Sequence, residues 1–306
     1  MRVLVVVNPN ATATTVRERD VLAHALGSAS DLQIVETANR GHAAALACRA
    51  MRDGTDIVVA LGGDGTVNEV VNGLLTDGVH DKVPALGIVP AGSTNVFARV
   101  LGLPDDRIEA TGALLEGIRT GSRRAVSLGM VDDRWFVFAA SVGFTAAVVD
   151  RVERHRRRGT RSTHALYARL AVREFFKSDR RTPKLHVELS DGTVHDDVYF
   201  LVVANSDPWT YLGNRPLRPT PGVTLETDLA VYARRRMSSL GVLYSMARLS
   251  GDTPRVGSRG AHVALDLETV TVRADEPMPV EVDGDYLEPR EKLAFRSVPQ
   301  ALRVIV

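Results

Sequence analysis

A chain of 306 residues, 44% hydrophobic and 25% charged, is long enough for two soluble domains, each with its own core. Its net charge of +1 excludes nucleic-acid binding driven by bulk charge. The single cysteine, Cys48, excludes an internal disulfide and fits a reducing, cytoplasmic compartment. The opening apolar run at 3–7 is too short for a signal peptide, and no run reaches the roughly 18 residues of a spanning helix.

The first part of the chain alternates strand and helix signals. Residues 3–7 predict a buried strand and 16–27 a helix, 32–36 a second strand and 41–52 a second helix. A third pair is expected at 57–61 and 67–75, a fourth at 85–89 and 94–101, and a further helix at 108–117. Continuous apolar strands alternating with helices predict an α/β domain with a parallel sheet covered on both faces. Ligands of such sheets bind past the carboxyl ends of the strands. Asn8, Thr37 and the turns at 62–66 and 92–95 all follow strand ends and are expected to converge on one edge.

From about residue 121 the pattern becomes β-rich. Strands are expected at 125–128, 135–140, 184–189, 198–204, 228–233, 269–274 and 279–282, with helical stretches at 145–176 and 237–248. The boundary near 121–126 divides the chain into domains 1–123 and 124–297. The last apolar piece, 302–306, is expected to return to the first domain.

Two glycine turns carry the chemistry. In Leu61-Gly62-Gly63-Asp64-Gly65-Thr66-Val67-Asn68-Glu69 a buried strand ends, the chain turns on glycines, and a helix begins. Such a turn brings backbone close to a ligand and aims free N–H groups at it, which suits a phosphate. A carboxylate at Asp64 would repel a bare phosphate, so it points to a cation or a proton-transfer role. No Gly-Lys-Ser or Gly-Lys-Thr follows, so this is not a Walker loop. Pro90-Ala91-Gly92-Ser93-Thr94-Asn95-Val96-Phe97-Ala98-Arg99 repeats the design, with Ser93, Thr94 and Asn95 able to cap a helix or meet a ligand. Asp283-Gly284-Asp285, read alone, is a hairpin turn. The basic run 151–161 reads either as a solvated helix end or as a contact for anionic lipid headgroups. Trp209 and Tyr211 either pack locally or sit at a membrane interface. No histidine shows zinc-ligand spacing with Cys48.

The two turns, the opening Asn8-Pro9 and the late Val282-Asp283-Gly284-Asp285 resemble, in order and over nearly the whole chain, the diacylglycerol kinase-like lipid kinases, the group of the soluble bacterial lipid kinases and the sphingosine kinases. The first turn alone is also similar to those of NAD kinases and phosphofructokinases. The resemblance implies a nucleotide-binding α/β domain of the phosphofructokinase and NAD kinase type, a β-sandwich lipid-binding domain, a site in the cleft between them, and a final segment, 298–306, rejoining the first domain. It implies ATP near Asn8, Pro9, Asn10, Ala11, Thr12 and Thr37, near Gly62, Gly63, Asp64, Gly65, Thr66, Val67, Asn68 and Glu69, and near Gly92, Ser93, Thr94 and Asn95. Asp64 would act in the magnesium–phosphate network, and Asp285, one methylene shorter than the glutamate usual at that position, would take the lipid hydroxyl proton.

Three positions depart from the family pattern. Val96 stands where an aspartate is usual, Ser127 likewise, and 221–229 matches the structural-magnesium segment poorly. The expected activity is ATP- and Mg²⁺-dependent phosphorylation of diacylglycerol or a related lipid by a cytoplasmic protein docking transiently on anionic membranes, with no nucleic-acid partner and a homodimer possible. The alternatives are an NAD kinase-type enzyme with a soluble substrate, and a nucleotide- or lipid-binding protein with weakened catalysis.

Overall fold

The structure, a computed structural model, describes residues 1–9, 11, 31–157, 164–251, 253, 254, 256 and 260–306. The helix expected at 16–27, the binding residues Asn10 and Thr12, and part of the basic run lie outside the described residues. The chain divides into two compact units, Met1–Ser127 with Pro299–Val306, and Leu128–Val298.

The first unit is built on parallel strands β1 (Arg2–Val7), β2 (Asp31–Glu36), β3 (Ile57–Gly62) and β4 (Ala85–Pro90) in the order β2-β1-β3-β4. The last strand of the chain, β16 (Asp285–Ile305), ends here in parallel, with Val304 opposite Leu86. Every residue of β3 and β4 is buried, so both side-chain parities face protein, as a sheet covered on two faces requires. Helix α1 (His42–Arg52) contacts β1, α2 (Asp64–Leu74) contacts β3, and α4 (Arg107–Thr120) contacts β4. Asp106 caps α4 through the Ile108 and Glu109 amides, and Gly121 ends it with φ +72°.

Helix α2 begins three residues earlier than the apolar periodicity predicts, because the extended Gly63 serves as its N-cap and Asp64-Gly65-Thr66 form its first turn. Short α3 (Val96–Val100) begins two residues later than predicted, because Asn95 takes a left-handed φ of 49°, which asparagine tolerates. Helices α1 and α2 meet at Gly73, where a methyl would stand 2.2 Å from the Ala44 carbonyl oxygen. Neither backbone can yield cheaply. Gly73→Ala is therefore expected to destabilise this unit by about 3 kcal/mol, read as a lowered urea midpoint.

The second unit is antiparallel. Its strands are β6 (Arg134–Phe136), β7 (Ala139–Gly143), β8 (Leu185–Leu189), β9 (Val194–Val198), β10 (Phe200–Ala204), β11 (Thr210–Leu212), β12 (Arg215–Leu217), β13 (Leu229–Arg234), β14 (Ala261–Leu267) and β15 (Thr269–Val282), with the start of β16. The strand β5 (Arg123–Val131) enters it from the first unit and pairs with β6. Pairing runs β14-β13-β10-β7-β15, and β15 also carries β16 and the pair β8-β9. The two ends of this path come together: His195 of β9 and His262 of β14 place their rings 4.3 Å apart. The sheet thus folds around one core, in which Phe136, Leu201, Val231, Val270, Val282 and Phe295 are buried. Helices α5 (Phe144–Arg157), α6 (His164–Lys177) and α7 (Ser239–Leu249) complete the unit.

Several elements differ from their expected form. The stretch 135–140 is two strands, β6 and β7, and 198–204 is the junction of β9 and β10. The strands expected at 269–274 and 279–282 are one bulged strand, β15. The helical stretch at 145–176 is two helices, α5 and α6.

Candidate active site

The expected convergence is present at the carboxyl edge of the parallel sheet. The Asn8 amide donates to the Leu61 carbonyl at 3.0 Å, the Thr37 amide to Val7 at 2.8 Å, and the Ala91 amide to Gly62 at 2.8 Å. The Asn8 side chain donates to the Thr66 hydroxyl at 3.0 Å. These bonds join the ends of β1, β2, β3 and β4 through the residues that follow them.

The two glycine turns touch backbone to backbone. A methyl on Gly92 would lie 2.6 Å from the Gly63 Cα, and one on Gly63 would lie 3.1 Å from the Gly92 Cα. Only glycines permit this approach. A methyl on Gly62 would strike the Thr66 side chain, whereas Gly65 faces open space. The N-terminus of α2 has no side-chain cap, so its first amides are available to an anion, as are the amides of any uncapped helix start. In the second turn Asn95 closes on Gly92, accepting from its amide at 2.9 Å and donating to its carbonyl at 3.1 Å. Ser93 stays exposed above it.

Asp64 bridges the two turns. It stands in the first turn of α2, and its Oδ1 accepts from the Phe97 amide at 3.3 Å. The surrounding protein pushes its carboxyl pKa up by desolvation, although the amides of Val96, Phe97 and Asn95 and the charge of Arg99 pull the other way. Arg99, for which the motif predicts no role, is held by Asp105 at 3.0 Å. A half-buried carboxylate whose charge the surroundings disfavour is suited to a cation.

Other expected binding residues are otherwise engaged. Glu69 accepts from the Gly41 amide at 2.8 Å and the Ala43 amide at 3.2 Å, so it serves as the cap of α1. Val67 and Asn68 are buried, and the Asn68 carboxamide oxygen accepts from Asn72 at 3.1 Å. Pro9 is exposed past β1, and the Ala11 amide returns to the Asn8 carbonyl at 3.1 Å. Val96 and Ser127 are both buried and neutral.

In the second unit the Asp283-Gly284 pair forms a two-residue hairpin turn with φ of 49° and 82°, and Val282 pairs with Asp285. The Asp283 carboxylate is buried and accepts from the amides of Val137 at 2.7 Å, Phe138 at 3.0 Å and Ala139 at 3.1 Å. Asp285 is partly buried, 3.8 Å from the Arg134 guanidinium.

Glu281 is a functional candidate that sequence reasoning missed. It is buried, its Oε2 accepts from the Ser141 hydroxyl at 2.6 Å and its Oε1 from the Gly284 amide at 2.6 Å. Burial pushes its carboxyl up to about 7, against the pull of those two donors. Only its proximity to Asp283-Gly284-Asp285 could have signalled it. A carboxyl raised in the folded state stabilises below its unfolded pKa and loses that contribution as pH rises through about 7. Glu281→Gln is therefore expected to match the wild type near pH 4.5 and to exceed it by up to about 3 kcal/mol above pH 7, read from urea unfolding across that range.

Residues 2–131 match the family model of the diacylglycerol kinase catalytic domain. A diacylglycerol kinase of Bacillus subtilis (strain 168) is 42% identical over 89 residues, which are 29% of this chain and 27% of that protein. A diacylglycerol kinase of Staphylococcus saprophyticus is 38% identical over 103 residues, 34% of this chain and 32% of that protein. The chain thus matches about a third or less of the length of these curated relatives. A crystal structure of a diacylglycerol kinase from Bacillus anthracis str. Sterne has the same fold, with a TM-score of 0.73 over 99% of this chain and 96% of that one, at 20% identity. The chain is similar to the diacylglycerol kinase-like lipid kinases, by sequence in its first unit and by fold over its length.

Proposed function

We propose that the protein is an ATP-dependent lipid kinase, transferring the γ-phosphoryl group of ATP to the hydroxyl of diacylglycerol or a related lipid, with phosphatidic acid or a lipid phosphate as product. The observation that carries this reading is the contact of the Gly63 and Gly92 turns beside Asp64, within the segment that matches a diacylglycerol kinase catalytic domain. Phosphoryl transfer asks a protein mainly for positioning and charge stabilisation. The amides of Gly63, Asp64 and Gly65 would hold the phosphates, and Asn8, Thr37, Thr66 and Ser93 would line the nucleotide. Asp285 is the candidate base for the lipid hydroxyl.

Magnesium fits the residues present. The described residues form no group of three or more acidic, histidine or cysteine side chains that could hold a metal by themselves. Mg²⁺ in phosphotransferases is usually held by one or two carboxylates together with the substrate's phosphates and water. Asp64 supplies such a carboxylate, and the ion when bound would neutralise charge developing on the phosphates. No helix among the described residues is long and apolar enough to cross a membrane.

Buried, neutral Val96 and Ser127 favour a second reading, a nucleotide- or lipid-binding protein with weakened catalysis. Transfer of labelled γ-phosphate from Mg-ATP to dioleoylglycerol in mixed vesicles, with Asp64→Asn as control, decides. Labelled phosphatidic acid from the wild type alone supports the kinase. ATP binding without transfer to any glycerolipid or sphingoid acceptor supports the second reading, and transfer to NAD would redirect the assignment to a soluble-substrate kinase.

A further inference from the structure

Helix α7 has two faces. Ser238 caps it through the Gly241 amide, the Ser245 hydroxyl accepts from the buried Arg234 at 2.7 Å, and Leu249 is buried. Residues 241, 245 and 249 therefore form the face that holds the helix to its unit. On the other side Leu240 is 82% and Tyr244 56% exposed, one turn apart. Helix α6 repeats the arrangement, with Val172 58% and Phe176 67% exposed, also four residues apart.

The two pairs adjoin through one side chain. The Arg180 guanidinium lies 5.5 Å from the centre of the Phe176 ring and 4.8 Å from that of buried Phe175, and it donates to the Ser239 hydroxyl at 3.2 Å. Arg248 lies over the Tyr244 ring and donates to its hydroxyl at 2.7 Å. Arg180 thus links the Phe176 end of α6 to the start of α7 at Ser239, next to exposed Leu240.

The charge around this surface is predominantly positive. Residues 169–181 hold Arg169, Arg173, Lys177, Arg180 and Arg181 against Glu174 and Asp179. Glu174 is paired with Arg151, and Asp179 accepts from the amides of Arg181 and Thr182. Residues 234–249 hold four arginines and no acid; Arg234 is buried and Arg235 is paired with Asp197, which leaves Arg236 and Arg248 to the surface. By contrast, in the basic run of α5, Arg151 is matched by Glu174 and Arg154 by Asp150.

We propose that the surface of Val172, Phe176, Leu240 and Tyr244 docks on an anionic bilayer. Apolar side chains standing well clear of their helices can enter the headgroup–acyl boundary, a tyrosine is favoured at that depth, and the surrounding arginines match lipid phosphates. The choice of a bilayer rests on the lipid-kinase reading; the surface and its charge do not.

The test is co-sedimentation without nucleotide or acceptor lipid, using vesicles of phosphatidylcholine alone or mixed with phosphatidylglycerol. The wild type is expected to bind the mixed vesicles, weakly bind the neutral ones, and release with salt. Phe176→Ser with Leu240→Ser, both on solvent-facing positions, is expected to cut binding by about tenfold or more. Arg173→Gln with Arg181→Gln is expected to cut it and flatten the salt dependence. Unchanged binding in the apolar double variant overturns the proposal. So does equal wild-type binding to both vesicle types, or a variant that only splits a dimer in sedimentation velocity. Phosphorylation of a short-chain, water-soluble diacylglycerol is scored separately: its loss in every protein would sink the kinase reading and leave the docking result standing.

Discussion

Asp64→Asn is expected to lower phosphoryl transfer on the order of 10²–10³-fold while leaving the protein as stable as before or slightly more so. The two effects separate because asparagine keeps an acceptor for the second turn and loses only the charge. The bond from the Phe97 amide at 3.3 Å can be accepted equally by the carboxamide oxygen of asparagine, which keeps the two turns joined. The charge itself is opposed by burial, which pushes the Asp64 pKa up. A carboxyl raised in the folded state costs stability once pH passes its unfolded pKa, so removing the charge relieves that cost at neutral pH. What asparagine cannot do is hold a divalent cation against phosphates beside the amides of α2. Thermal melting of both proteins at pH 7, set beside γ-phosphate transfer, checks the pair of expectations. Near-normal turnover would remove Asp64 from the mechanism, and a large fall in melting temperature would make its role structural.

The turns were legible because they are local. An apolar run followed by Gly62-Gly63 and a polar helix start specifies a strand end, a tight turn and a helix within a few residues, and β3 and α2 follow that order. Long-range partners were not legible. Glu69 looks like a ligand residue beside a glycine turn, yet it caps a helix start 28 residues away at Gly41. Glu281 alternates with Val280 and Val282, which suggests a solvent face; the protein covers that face too and leaves a carboxyl on Ser141. The length of β16 was hidden by its composition, since Glu288-Pro289-Arg290-Glu291-Lys292 reads as a loop and only its last residues as a strand. Helix α7 was expected, but the exposure of Leu240 and Tyr244 depends on which face Arg234 holds, and periodicity alone does not fix that.

Two neighbouring aspartates should separate in the opposite sense. Asp283→Ala is expected to destabilise the second unit by about 3–5 kcal/mol, because three buried amides, of Val137, Phe138 and Ala139, lose their acceptor together. Alanine also fits the left-handed φ of 49° less well than aspartate does. For a unit of this size the loss corresponds to a fall in melting temperature on the order of 10 °C. Asparagine would not restore it, since its NH₂ group would face one of the amides that Asp283 satisfies. Asp285→Asn is expected to cost less: its ion pair with Arg134 is long, at 3.8 Å, and partly exposed, and such a pair contributes at most about 1 kcal/mol. If Asp285 takes the lipid proton, its removal costs turnover on the order of 10²-fold, with KM for ATP unchanged. Melting curves and initial rates for the two variants therefore form a crossed pair, one losing structure and the other rate. A rate loss in Asp283→Ala that disappears when the protein is assayed well below its melting temperature would confirm the first as structural. Full activity in Asp285→Asn would move the search for a base to Glu281, the carboxyl four residues upstream whose pKa already stands at about 7.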